Sequence, residues 1–399
     1  MEPTLTWLDL TSRDRDKMRR VLDLLTEQNT VDEMGLGTLR DALADALFPG
    51  TSSIQTRLRY ALFVPWLYQR LERRHVASED IEREARRAEI ALIRALVESD
   101  DADGVIGKRA GQSLSRLPSN VYWAGLVHWG IFLQRQTQSW YHAQFSILTA
   151  ARDAETADDP GVVWERRATW HRQLPRAPEG FPAKASFALT RDEAEFLRGR
   201  FEERCAGSLL AWLARNGSAS PAPDFWDDPV AQQTPAELRA IIALARRFSL
   251  HVEGAPLLYN LLLAEKRAAS PHGDRELVSG YRDELAKWAS HEAEEAPFDP
   301  STLWAFLALR GLVSPPAQQS FVRAWSERVA AIGARQVPDD GSLRGLVELR
   351  ERQLKGPRAR LVNEGRLLDW SGRVGTGRMD FRWFRVRQLL TDLHRGLES

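Results

Sequence analysis

Between Met34 and Arg74 the apolar residues recur at helical spacing on both sides of one sharp break. Leu36, Leu39, Leu43 and Leu47 lie three or four residues apart, so one face of a short helix is apolar. Phe48-Pro49-Gly50 stops that helix, because proline cannot continue it and glycine accepts the backbone angles of a tight reversal. Thr51, Ser52 and Ser53 are candidate caps of a second helix with Ile54, Leu58, Ala61 and Leu62 on its buried side. Pro65 is expected to kink that helix or end it.

The same periodicity fills most of the chain. Thr11 or Ser12 can cap a first helix in which Met18, Val21, Leu22 and Leu25 share a face. After Ser78, the stripe Ile81, Ala85, Ala88, Leu92 and Leu96 follows a first turn rich in carboxylates, which suit the positive end of a helix dipole. Val121 to Leu133 is apolar nearly all round, the pattern of a core helix. Thr190-Arg191-Asp192-Glu193 reads as a capping box opening a long helix through Cys205 and Trp212 to Asn216-Gly217. Further helices are expected from Pro235 to Ser249, Pro256 to Ala268, Asp274 to Glu294, Pro300 to Arg310 and Pro315 to Gly333. A final helix carries Val386, Leu389, Leu390, Leu393 and Leu397 on one face, with Arg378, Arg382 and Arg385 opposite. No alternating strand pattern stands out, so the expected fold is all-α and multi-helical, with two or three packed helical lobes and little or no sheet. The breaker-rich segments suggest an N-terminal helical domain over 1–153, a connector over 154–189 with a short helical piece at Trp164 to Trp170, a central helical domain over 190–333 and a basic helical tail over 334–399.

Composition narrows the function classes. With 43% hydrophobic and 28% charged residues the chain is an ordinary globular one. Lys plus Arg balances Asp plus Glu, 55 each, so any polyanion must be met by a local patch. The 14 tryptophans are most economically anchors for helix packing. Cys205 is the single cysteine, which excludes an intrachain disulfide and a cysteine-rich zinc site and is expected to be a buried, inert thiol. The segment MEPTLTWLDL lacks the features of a signal peptide, and no apolar run reaches the roughly 20 residues of a membrane span. A cytoplasmic protein without a membrane partner is the expectation.

Three local features point to nucleic acid. The helix, turn and polar-headed second helix around Phe48-Pro49-Gly50 have the outline of a helix-turn-helix, in which Ser52, Gln55, Thr56 and Arg59 would face DNA and Arg57 a phosphate. The alternative there is an antiparallel helix pair with solvated arginines. From Gly104 to Arg152 there is no Asp or Glu, while basic residues interleave with aromatics; Lys108 and Arg109, in a glycine-flanked loop, are candidate phosphate ligands. The basic face with Arg378, Arg382 and Arg385 suits phosphate or a protein partner, or is simply solvated.

The usual catalytic spacings are missing. Gly107-Lys108-Arg109 and Gly35-Leu36-Gly37-Thr38 lack the remaining residues of a phosphate-binding loop, and no His-Glu-x-x-His or Gly-x-Ser-x-Gly occurs. His291, Glu292, Glu294 and Glu295 form the densest group of potential metal ligands, yet acidic helix ends commonly look this way. No catalytic residue, metal or cofactor is assigned.

Asp32 to Tyr68, especially MGLGTLRDALADALFPGTSSIQTRLRYALFVPWLY, resembles a bacterial family classed as a domain of unknown function, as do FALTRDEAEFLRGR at Phe187 to Arg200 and the ending MDFRWFRVRQLLTDLHRGL. The resemblance implies a genomic setting, near helicases and nucleases in anti-phage defence islands, and carries no catalytic residues. The expected function is a non-catalytic accessory subunit of a defence or DNA-processing system that binds DNA, or RNA. The competing expectations are a scaffold docking a helicase or nuclease without touching DNA, and an enzyme of unrecognised type.

Overall fold

The computed structural model describes residues 32–111, 114–153, 168–269 and 275–399. The first helix expected after Thr11 and most of the connector's helical piece at Trp164 to Trp170 fall outside them. Among the described residues the secondary structure is helical with no strand, and the one β-type pairing is an isolated antiparallel bridge between Phe132 and Trp170. The helices are α1 Gly37–Leu47, α2 Tyr60–Arg73, α3 Ile81–Val97, α4 Pro118–His128, α5 Gln138–Ala143, α6 Phe145–Asp153, α7 Arg191–Arg204, α8 Leu209–Asn216, α9 Ala236–Ala268, α10 Glu276–Glu294, α11 Pro300–Ala308, α12 Pro316–Ile332, α13 Gly341–Lys355, α14 Glu364–Leu368 and α15 Trp383–Glu398. None of them is long and apolar enough to cross a membrane.

Two compact units divide the chain, and both are discontinuous in sequence. One comprises the described parts of Met1–Ala42 and Leu244–Met379; the other comprises Leu43–Ala243 and Asp380–Ser399. In the first unit the ionic group of Glu33, Glu351, Lys355 and Arg360 ties the start of the described chain to α13, with Arg360 3.0 Å from Glu33 and Lys355 3.1 Å from Glu351. Arg350 adds a bond of 2.8 Å to the Met34 carbonyl. In the second unit α2 is buried along most of its length, and α15 lays Val386, Leu389, Leu390 and Leu393 into the interior.

Several elements depart from their sequence pattern for identifiable reasons. The second helix of the leading pair starts at Tyr60 and not near Ser52, because the intervening backbone donors are captured by side chains: Tyr122 Oη accepts from the amides of Thr56 and Arg57 at 2.9 and 3.1 Å. With a connection from Phe48 to Arg59, the pair has no helix-turn-helix geometry. Pro65 sits inside α2, and the helix runs on to Arg73. Pro256 likewise sits inside α9, so the two helices expected from Pro235 to Ala268 are one; there Asn260 Nδ2 donates to the Pro256 carbonyl at 2.8 Å. The helix opened by Thr190 breaks after Arg204, where Gly207 takes φ +78° and Ser208 caps a new start by accepting from the Ala211 amide. The capping box itself is formed as read: Thr190 Oγ1 accepts from the Glu193 amide and Glu193 Oε2 from the Thr190 amide. Cys205 is buried, and burial pushes its thiol up to about 12.

Candidate nucleic-acid interface

In the second unit most polar groups of the turn from Phe48 to Arg59 are satisfied within the protein, while Ser52 Oγ and Arg59 Nε are buried without a hydrogen-bond partner among the described residues. Gly50 takes φ +78°, and a Cβ on it would stand 2.5 Å from the Trp129 indole nitrogen, which donates to the Pro49 carbonyl at 3.0 Å. Gln55 closes the turn on itself, donating to the Gly50 carbonyl at 3.2 Å and accepting from the Ser52 amide at 3.3 Å. It is 1% exposed, so it has no edge to offer a base.

Arg57 and Arg59 point inward as well, contrary to the DNA-facing geometry their spacing suggested. Arg57 is 7% exposed; its Nε lies 3.0 Å from Asp392, its Nη1 2.7 Å from Asp101 and 3.1 Å from the Asp103 carbonyl, and its guanidinium stacks on Phe187. Burial alone would lower its pKa, and the bonds to Asp392 and Asp101 outweigh that and raise it. Arg59 is 6% exposed and pairs with Glu193 at 2.7 Å, the same carboxylate that closes the capping box of α7. A buried guanidinium keeps its charge only when carboxylates answer it; Asp392 and Asp101 do so for Arg57 and Glu193 for Arg59, whose Nε is left without a hydrogen-bond partner.

The turn also gathers two exposed basic elements. On one side Thr56 Oγ1 donates to the Gly104 carbonyl at 2.6 Å and Tyr60 Oη accepts from the Ile106 amide at 3.0 Å, fixing the root of the loop that carries Lys108 and Arg109. Gly104 and Gly107 have φ near +80°, which turns the loop outward so that residues 108–111 are all exposed. Lys108 makes one long bond of 3.4 Å, to the Ala102 carbonyl. On another side Arg382 bonds the Thr51 carbonyl at 2.9 Å and Asp45 at 2.6 Å, and Arg385 bonds the Ser53 carbonyl at 2.9 Å. The Arg385 guanidinium lies 4.9 Å from the ring of Phe384, which is 60% exposed.

Of the tail arginines, then, Arg385 is on α15, while Arg382 is its N-cap with φ +70° and Arg378 precedes it. Arg378 belongs to the first unit, where it pairs with Glu253 at 3.0 Å. The single basic face expected for the three does not form, because the helix starts at Trp383, after Arg378 and Arg382. Of the aromatics of 104–152, Tyr122, Trp123, Trp129, Phe132, Tyr141 and Phe145 are buried in the core and Trp140 is half-buried.

One constellation escaped the sequence reading. In the first unit His251 Nδ1 lies 2.6 Å from Glu292 and its Nε2 2.8 Å from Ser326 Oγ, the linear order of an acid–base–nucleophile relay. Arg247 clamps the same carboxylate with bonds of 2.7 and 2.8 Å. All three relay members are buried, however, and Ser326 sits mid-helix in α12 with its hydroxyl also 2.8 Å from the Val322 carbonyl. Burial depresses the His251 pKa, so the ring is neutral; the relay joins α9, α10 and α12 and exposes no nucleophile. Glu292 was visible in sequence within the His291–Glu295 group, but His251 and Ser326, which complete the set, lie on two other helices. Among the described residues no His/Cys/Asp/Glu group is arranged to hold a metal ion.

A family of unknown function, DUF6361, matches residues 3–396, and the chain belongs to it. No curated protein and no solved structure matches the chain.

Proposed function

We propose that this DUF6361 protein is a non-catalytic, nucleic-acid-binding accessory subunit of a bacterial anti-phage defence or DNA-processing system, and that it meets the phosphate backbone through Lys108, Arg109 and Arg385. The observation that carries the reading is the presentation of these cations. Each is exposed or half-exposed, Lys108 and Arg109 on a loop whose root is bonded to Thr56 and Tyr60 and Arg385 on the Ser53 carbonyl, and none forms an ion pair with a carboxylate among the described residues. Arg385 over the exposed Phe384 adds a ring on which an unpaired base can stack. Arg57 and Arg59 have a supporting part, holding the turn. The defence setting rests on the family resemblance alone.

The test is binding of the purified protein to labelled single- and double-stranded DNA and RNA at about 50 mM salt, a regime that favours phosphate contacts. Affinity that drops in a Lys108→Gln/Arg109→Gln/Arg385→Gln variant of unchanged thermal stability supports the reading; equal affinity, or none in the wild type, refutes it.

A second reading is favoured by a different surface. In the turn between α11 and α12, Leu309 and Val313 are 85% and 91% exposed and Leu312 is 44% exposed, an apolar tip that suits a protein partner. In that case the protein is a scaffold that docks a helicase or nuclease without touching DNA, and Leu309→Ser/Val313→Ser abolishes the assembly.

A further inference from the structure

A groove runs beside the second half of α2, with α3 as its opposite wall and the Gly180–Ala183 turn as its lip. Its two sections have volumes of about 670 and 250 Å³ and share Arg70, Ala91 and Pro182, so they form one trough of nucleotide size. The room comes from α3, where Ala88, Ala91 and Ala95 recur on the facing side at helical spacing.

Four arginines line this trough, and their charge is unevenly answered. Arg87 bonds Glu84 at 2.7 Å, and Arg74 reaches the same carboxylate at 3.5 Å. Arg70 spends one nitrogen on a neutral group, the Phe181 carbonyl, and the Arg94 guanidinium has no hydrogen bond or ion pair with any described residue. Glu98 is the one carboxylate in the larger section, against Arg70 and Arg94. The lip is held in place from below: Phe181 stacks on Phe63 at 5.6 Å and meets Trp66 edge-on at 5.3 Å, and Trp66 donates to the Pro175 carbonyl at 2.7 Å. A preformed trough with two uncompensated guanidiniums above an alanine and proline floor matches an anionic group attached to a flat apolar body.

We infer that this trough is a phosphate-binding site for a nucleotide, with Arg94 and Arg70 as the phosphate ligands and the Ala91–Pro182 floor against the base or sugar. It is separate from the Lys108 loop and goes beyond the backbone contact proposed above. The phosphate can be that of a free nucleotide or of a nucleic-acid strand, and the two sources are told apart by the probe.

The experiment is calorimetric titration of the full chain with inorganic phosphate, a 5′-mononucleotide, and a thymidine oligonucleotide with no terminal phosphate, each at two salt concentrations. Arg94→Gln is the main variant, since that side chain is exposed and supports nothing. Glu98→Gln is the charge control, and Lys108→Gln/Arg109→Gln reports on the other surface. The expected result is mononucleotide binding weakened about ten-fold or more by Arg94→Gln, tightened by Glu98→Gln and unchanged by the Lys108/Arg109 variant. The same ordering for the unphosphorylated oligonucleotide would assign the site to a strand's phosphodiester. Damage to the fold cannot produce the gain at Glu98. Absence of binding by every probe at low salt, or binding indifferent to both Arg94 and Glu98, overturns the site.

Discussion

Arg57 and Asp392, separated by 335 positions in sequence, share a buried ion pair in which Nε lies 3.1 and 3.0 Å from the two carboxylate oxygens. Asp392 accepts in addition from the Leu58 amide at 2.8 Å, so one carboxylate fastens both the side chain and the backbone of the Phe48–Arg59 turn to α15. Removing Arg57 leaves Asp392 a buried carboxylate without a counter-ion, whereas removing Asp392 leaves Arg57 paired with the exposed Asp101. Arg57→Ala is therefore expected to cost about 3–5 kcal/mol in denaturant unfolding, and Asp392→Ala less. The double variant is expected to lose less than the sum, which a double-mutant cycle measures.

Glu89 gives the clearest pH signature. It is 1% exposed, accepts from the Ser119 amide at 2.8 Å and the Ser119 hydroxyl at 2.7 Å, and burial raises its pKa from 4.5 to about 7. The folded state thus holds a proton that the unfolded state releases. This contribution is fully present below pH 4.5 and is lost as the pH rises through about 7, by about 3 kcal/mol. Melting curves of Glu89→Gln should match wild type near pH 5 and exceed it near pH 8.

The His251 relay predicts the opposite slope. With its pKa depressed by burial, neutral His251 stabilises the fold above the ordinary value of 6.5 and less so as the pH falls below it. Glu292→Gln should cost about 3 kcal/mol by leaving Arg247 unpaired, and Ser326→Ala about 1 kcal/mol. Stability of each variant against pH checks this. A hydrolytic activity abolished by Ser326→Ala in an otherwise stable protein would contradict the structural assignment.

Gly50 tests the turn itself. An alanine there meets both a positive φ of +78° and the Trp129 indole at 2.5 Å, and it should lower stability by about 2–4 kcal/mol in thermal or denaturant unfolding.

Local signals in the sequence were reliable where the determinants are local. The Thr190/Glu193 box, the Ile81–Leu96 stripe and the buried aromatics of α4 all depend on residues within two turns of one another, and all formed. The misreadings share one cause, partners distant in sequence. Arg57 and Arg59 follow a polar-headed helix pattern, and only folding brings Asp392 and Glu193 to them. Pro256 is a breaker by propensity, yet one helix runs through it, buried on faces that packing decides. The arginine trough was invisible for a related reason: Arg70 and Arg94 lie on successive helices, and the Gly180–Ala183 lip comes from beyond them in the chain.

The most direct measurement of the central proposal is the salt dependence of nucleic-acid affinity for wild type and for Lys108→Gln/Arg109→Gln. Each phosphate contact contributes about 0.7 to the slope of log K against log salt for single strands and about 0.9 for duplex. The proposal predicts a steep wild-type slope that becomes shallower by about two contacts in the variant, with the melting temperature unchanged. An identical slope in the two proteins, or no binding by either at low salt, would contradict it.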